Sequence, residues 1–202
     1  MAGKLIIIGL ISYFLGSFPT AFLLVRWKFH KNITQEGTGN VGTLNALRIT
    51  HSRPLTVLVL LVDFLKGALA IWLASQLFGR DFEYLLAASV FVVLGHDFPV
   101  WLKFHGGRGL ATSAGIFLLI QPYIVLGWLV LWLLIYLLTR KVAYANALAT
   151  LLTPGILLIR AFHLYDSSTF IIVFAVTFLV FIKHIPRLLH AMRGEETVQQ
   201  FQ

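Results

Sequence analysis

Two polar, glycine-rich segments hold most of the residues that could do chemistry in an otherwise apolar chain. The first reads Gly37-Thr38-Gly39-Asn40-Val41-Gly42-Thr43-Leu44-Asn45-Ala46-Leu47-Arg48. Glycines without a Cβ let backbone N–H groups converge on an anion. Thr38, Asn40 and Asn45 add neutral polar groups, and Arg48 offers a planar fork suited to phosphate. Alternating glycine alone describes a flexible surface loop; the two asparagines and the arginine tip the reading towards an anion site. The second segment runs from Gly95-His96-Asp97-Phe98-Pro99 to Phe104-His105-Gly106-Gly107-Arg108-Gly109-Leu110-Ala111-Thr112. A helix starting after Gly109 would present unsatisfied N–H donors and roughly half a positive charge, a phosphate site that Arg108 would supplement. The spacing is not that of a Walker loop, and no Lys-Ser/Thr pair follows the glycines.

Other candidates lie within apolar stretches. Asp63 and Lys66 are three residues apart, so on a helix they can pair; a structural pair and a direct role in the reaction weigh equally. Gly16-Ser17-Phe18-Pro19-Thr20-Ala21 interrupts the first apolar run, where Pro19 would free the Leu15 carbonyl and kink a helix. His96 could serve as a base, but a hydrogen-bonded structural histidine is the commoner case. No Ser-His-Asp arrangement can be recognised. The absence of an obvious base favours a reaction whose donor is already activated. There is no cysteine, hence no disulfide, no thiolate nucleophile and no Cys-based metal site.

These residues must be positioned by helices that lipid surrounds. Of 202 residues, 58% are hydrophobic and 12% charged, against the usual quarter charged in soluble domains. The apolar blocks predict spans near 5–25, 54–78, 82–101, 110–120, 123–138, 146–162 and 168–183 within a single membrane domain over 1–202. Leu5 to Val25 reads as a span and not a signal peptide, since no small-residue cleavage site follows it. Gln121-Pro122 divides 110–138 into two helices. Counting two there places twelve of the sixteen basic residues on one side; Lys4, Arg80 and Arg160 fall opposite, and Lys66 lies within a span. The positive-inside bias then predicts seven spans, with the N-terminus outside and the C-terminus cytoplasmic. A net charge of +8 fits a basic face against anionic lipid or anionic substrates better than it fits nucleic acid.

The order and spacing of four motifs resemble the bacterial acyl-phosphate:glycerol-3-phosphate acyltransferases over nearly the whole chain. The four are Gly16 to Ala21, Gly37 to Arg48, Asp63-x-x-Lys66-Gly67, and Gly95-His96 through Thr112. The resemblance implies acyl transfer from acyl phosphate to the 1-hydroxyl of glycerol 3-phosphate in the cytoplasmic membrane, without a cofactor or metal. Lysophosphatidic acid and phosphate would be the products. It implies catalytic roles for Thr38, Arg48 and His184. Substrate binding would fall to Gly37, Gly39, Asn40, Gly42, Asn45, Lys66, His96, Gly106, Gly107, Arg108, Gly109 and Arg187. It also implies contact with the soluble enzyme that makes acyl phosphate. The chain departs from the family pattern at Leu44 and His105, where Thr and Lys are usual, at Ala143 for Ser, and at Arg187 for Asn; His184, Gly194 and Glu196 keep the tail spacing. Two other classes stay open: a diverged paralogue that binds acyl phosphate or phospholipid without turnover, and an anion transporter.

Overall fold

A computed structural model describes residues 1–158 and 166–193, all in helices, turns and loops. The α-helices are α1 Ala2–Ser17, α2 Thr20–Phe29, α3 Thr43–Thr50, α4 Arg53–Phe78, α5 Phe82–Asp97, α6 Leu110–Ile120, α7 Pro122–Thr139, α8 Val142–Leu152 and α9 Ser167–Met192. Short 3-10 turns cover Val100–Leu102 and Thr153–Leu158. Two compact units result, Met1–Leu119 and Ile120–Gln202.

Among the described residues five segments are long and apolar enough to cross a membrane: Ala2–Phe29, Arg53–Phe78, Phe82–Leu102, Pro122–Thr139 and Ser167–Met192. Leu110–Ile120 and Val142–Leu158 are apolar but shorter. At 1.5 Å per residue, an 11-residue helix reaches about 16 Å, roughly half of a bilayer core. The predicted end of the 146–162 span lies outside the described residues.

In the first unit α1 and α5 approach through small residues. A Cβ on Gly16 would overlap the Val92 carbonyl, and one on Gly95 the Tyr13 carbonyl. Backbone contact of this kind replaces the hydrophobic effect as the driving force where lipid is the solvent. Beside it, Ala21 and Val25 of α2 pack with Ile33, Val41, Ala46, Ile49, Leu55 and Val59. This cluster anchors the segment between α2 and α4.

In the second unit the alanines of α8 (Ala143, Ala145, Ala147 and Ala149) are buried, and polar groups lock α7 to it. Trp132 Nε1 donates to Asn146 Oδ1 at 2.6 Å, and Trp128 Nε1 to Thr150 Oγ1 at 3.1 Å. Lys141 Nζ caps α9 by donating to the Ala191 carbonyl at 3.3 Å.

Two stretches are more helical than the sequence predicts. Thr43–Thr50 is a helix, with Asn45, Ala46 and Ile49 buried at helical spacing, but its apolar stripe is too short to stand out in a polar loop. α9 continues past residue 183 through Pro186 to Met192. A proline removes one N–H and crowds one carbonyl, which near a membrane edge can be satisfied without ending the helix.

Candidate active site

The break after α1 starts the site. Pro19 has no N–H to give the Leu15 carbonyl, which instead accepts from Phe18 N at 3.4 Å, and the chain restarts as α2 at Thr20. The Phe18 carbonyl accepts from Thr20 N at 3.0 Å and from Lys66 Nζ at 3.4 Å. Lys66 also pairs with Asp63 at 2.9 Å, both side chains about 5% exposed or less. Thr20 Oγ1 donates to the same Asp63 oxygen at 3.2 Å. His96 Nδ1 lies 3.7 Å from it, beyond hydrogen-bond range. Two charges buried in a span are tolerable only when paired and bonded in this way. A small cavity beside the pair is lined by Gly16, Thr20, Val41, Lys66, His96 and Gly106.

The first loop is organised by one side chain. Asn45, 1% exposed, accepts from Thr38 N at 2.9 Å and donates to the Ile33 and Glu36 carbonyls at 3.2 and 3.1 Å. Its amide therefore holds the loop, with at most one lone pair left for a ligand. Gly37 turns left-handed at φ 60° against the Asn45 amide oxygen, where a Cβ would overlap it. Gly39 is also left-handed, and Gly42 is the extended residue before α3. Thr38 is exposed and Asn40 half-buried. Arg48, in the last turn of α3, is half-buried and has no hydrogen-bond or ion-pair partner among the described residues.

The second loop is organised by peptide groups. Gly106 N donates to the Asp97 carbonyl at 3.1 Å and Gly107 N to the His96 carbonyl at 3.0 Å. Val41 N donates to the Gly106 carbonyl at 3.4 Å, which brings the two loops together. Trp101 Nε1 donates to Ser17 Oγ at 3.0 Å, tying this loop to the break after α1. Gly109, at φ 74°, starts α6, and its carbonyl accepts from Ser113 N at 2.8 Å. Arg108 is half-buried beside it.

Thr112 Oγ1 and Ser113 Oγ, in the first turns of α6, are buried without a hydrogen-bond partner among the described residues. Neither hydroxyl is among the ligands that the sequence motifs predict. The signal was there, in hydroxyls one turn inside a helix that follows a glycine turn, but nothing local distinguishes a buried hydroxyl from a lipid-facing one.

The remaining predicted residues belong to the second unit. His184 is 2% exposed, and its Nδ1 donates to the Val180 carbonyl at 2.8 Å. Arg187 follows at i+3, half-buried on the same helix. Ala143 is buried near the start of α8. Gly194 and Glu196 lie outside the described residues. No group of three or more metal-ligating side chains occurs among the described residues.

Residues 6–194 match the glycerol-3-phosphate acyltransferase family. The chain belongs to that family. A glycerol-3-phosphate acyltransferase from Wolbachia sp. subsp. Brugia malayi is 34% identical, over 94% of this chain and 96% of its own length. One from Gluconobacter oxydans is 38% identical, over 96% and 92%. The crystal structure of PlsY, an integral membrane glycerol 3-phosphate acyltransferase in its glycerol 3-phosphate form, superposes with a TM-score of 0.84. The identity is 27%, over 96% of this chain and 94% of that one. A lysophosphatidic acid form of PlsY superposes with a TM-score of 0.80. The chain is thus an acyltransferase of an integral membrane family that serves phospholipid synthesis.

Proposed function

We propose that this chain, as one acyltransferase domain, transfers a fatty acyl group from acyl phosphate to the 1-hydroxyl of glycerol 3-phosphate. The observation that carries this reading is the close superposition on PlsY in both a glycerol 3-phosphate and a lysophosphatidic acid form, the acceptor and the acylated product. The hydroxyl oxygen attacks the carbonyl carbon of the mixed anhydride. As the tetrahedral species collapses, the carbon–oxygen bond to phosphate breaks, and lysophosphatidic acid and inorganic phosphate leave. The hydroxyl proton passes to a phosphate oxygen, because no described side chain stands out as a stronger base. An anhydride donor is already activated, so the reading assigns no cofactor or metal.

The protein's part is to neutralise and place charge. Arg48 has a planar fork without a partner among the described residues, suited to a phosphate, with Thr38 of the same loop segment as a hydroxyl donor. The Gly106–Gly109 turn, Arg108 and the first turn of α6 would hold the second phosphate, with the Thr112 and Ser113 hydroxyls, unmatched among the described residues, as donors there. For His184 and Arg187, on α9, the roles are those that the family resemblance implies, with Arg187 a cation where the family pattern has Asn. Seven spans, with the polar loops on the cytoplasmic face, would admit both head groups from the cytoplasm and the acyl chain from lipid. In the same reading, the soluble enzyme that makes acyl phosphate docks on that face.

The test is direct. Purified protein in lipid, given both substrates, should release lysophosphatidic acid and phosphate in equal amounts. A rate indistinguishable from the no-enzyme control overturns the reading and leaves a phosphate-binding paralogue, which would still bind lysophosphatidic acid.

A further inference from the structure

Lys66 sits in the middle of α4, 5% exposed. A buried cation in an apolar span points to function unless the protein itself meets the charge. Here it does. Nζ lies 2.9 Å from Asp63 Oδ1 and donates to the Phe18 carbonyl at 3.4 Å, and the same Asp63 oxygen lies 3.7 Å from His96 Nδ1. An ammonium has three protons, and two are already directed at protein oxygens.

The partners come from different elements. Phe18 belongs to the break after α1, Asp63 to α4 itself, and His96 to the end of α5. That last turn of α5 supplies the carbonyls that hold the second loop, His96 to Gly107 N and Asp97 to Gly106 N. The far end of the loop meets α4 as well. A Cβ on Gly67 would overlap the Thr112 carbonyl in the first turn of α6, and a Cβ on Gly115 would overlap the Phe64 carbonyl. Residues 63–67 of α4 therefore bear on both ends of the loop between α5 and α6.

We propose that Lys66 is a positioning residue and not a substrate ligand: its hydrogen bonds to Asp63 and to the Phe18 carbonyl tie α4 to the break after α1 beside the end of α5, and so fix the Gly106–Gly107 turn. That this turn receives glycerol 3-phosphate rests on the acyltransferase reading above; the positioning itself does not.

The experiment compares two variants. Lys66→Met leaves Asp63 buried and unpaired. It should raise KM for glycerol 3-phosphate about tenfold or more, move kcat less than about threefold, and speed amide exchange at Gly106 and Gly107. Asp63→Asn with Lys66→Gln removes both charges while keeping neutral hydrogen-bonding groups in place. This double variant should return to within about threefold of the native KM, with native exchange at the two glycines. If Lys66 were a ligand, the double variant would be as impaired in KM as Lys66→Met while both amides stayed protected, and that result overturns the proposal. Should Lys66→Met not fold, the double variant decides by the same two readouts. Should the native protein transfer nothing to glycerol 3-phosphate, the acyltransferase reading fails. Amide exchange at Gly106 and Gly107 in the two variants still decides the positioning.

Discussion

The two polar loops reach a shared point, the Val41–Gly106 hydrogen bond, by opposite means. The first is held by a side chain: Asn45 bonds three peptide groups on both sides of a left-handed turn. The second is held by its own backbone, with Gly106 and Gly107 bonded to the last two carbonyls of α5 and packed too close for a Cβ. A loop held by one amide fails when that amide is deleted. A loop held by peptide contact fails when a single methyl is added. Deletions should therefore hurt the first loop, and insertions of volume the second.

The largest expected effect is at Gly106. A Cβ there would overlap the His96 carbonyl, which belongs to a rigid helix and cannot rotate away. Overpacking of this kind costs about 1–3 kcal/mol, so Gly106→Ala should lower kcat/KM by roughly 100-fold while the helical content stays native. At Gly107 the obstacle is the His96 imidazole, a side chain with some freedom to yield, so Gly107→Ala should be milder. A larger loss at 107 than at 106 would mean that the imidazole is the more rigid wall, and the backbone account of this loop would fall.

The next effect is at Asn45. Asn45→Ala leaves the Thr38 N–H and the Ile33 and Glu36 carbonyls without their partner, and an unmet buried polar group costs about 1–3 kcal/mol. Thr38 is exposed and Glu36 half-buried, so only Ile33 bears the full cost. Activity should fall about tenfold, with Asn45→Asp intermediate because it keeps the acceptor for Thr38 N and loses both donors. Steady-state kinetics would check the order, and near-native activity in the alanine variant would show that the loop does not depend on this amide.

Long apolar runs and prolines were legible in the sequence. The 54–78 and 123–138 stretches appear as Arg53–Phe78 and Pro122–Thr139, and Pro19 and Pro122 mark a break and a helix start. These signals are local, because lipid requires continuous apolar length and proline acts within one turn. What was not legible depends on partners far along the chain. Lys66 meets Phe18 across 48 residues, and no spacing rule connects them. Asn45 reads as a ligand from its type and as a loop clasp only once Ile33 and Glu36 fold against it. Thr112 and Ser113 became candidates only through their burial.

Side-chain locks differ from peptide locks in a further respect: they can titrate. Asp166, exposed and just ahead of α9, accepts from Thr169 N at 2.8 Å and caps the helix. The Thr169 N–H bond holds its carboxyl below the usual carboxylate value. A depressed folded-state pKa contributes stability that is full above the unfolded value, near 3.8, and lost as pH falls through the folded one. Asp166→Asn keeps a capping oxygen but cannot ionise. The native protein should therefore exceed this variant in thermal midpoint by a small, constant margin from neutral pH down to about pH 5, and the margin should close below about pH 4. Asp166→Ala should cost about 1 kcal/mol at neutral pH, the ordinary worth of a cap. Amide protection at Thr169, corrected for the intrinsic pH dependence of exchange, should fall across the same acid range. A margin that widens on acidification would contradict the cap assignment, because the proton would then be binding the folded state more tightly than the unfolded one.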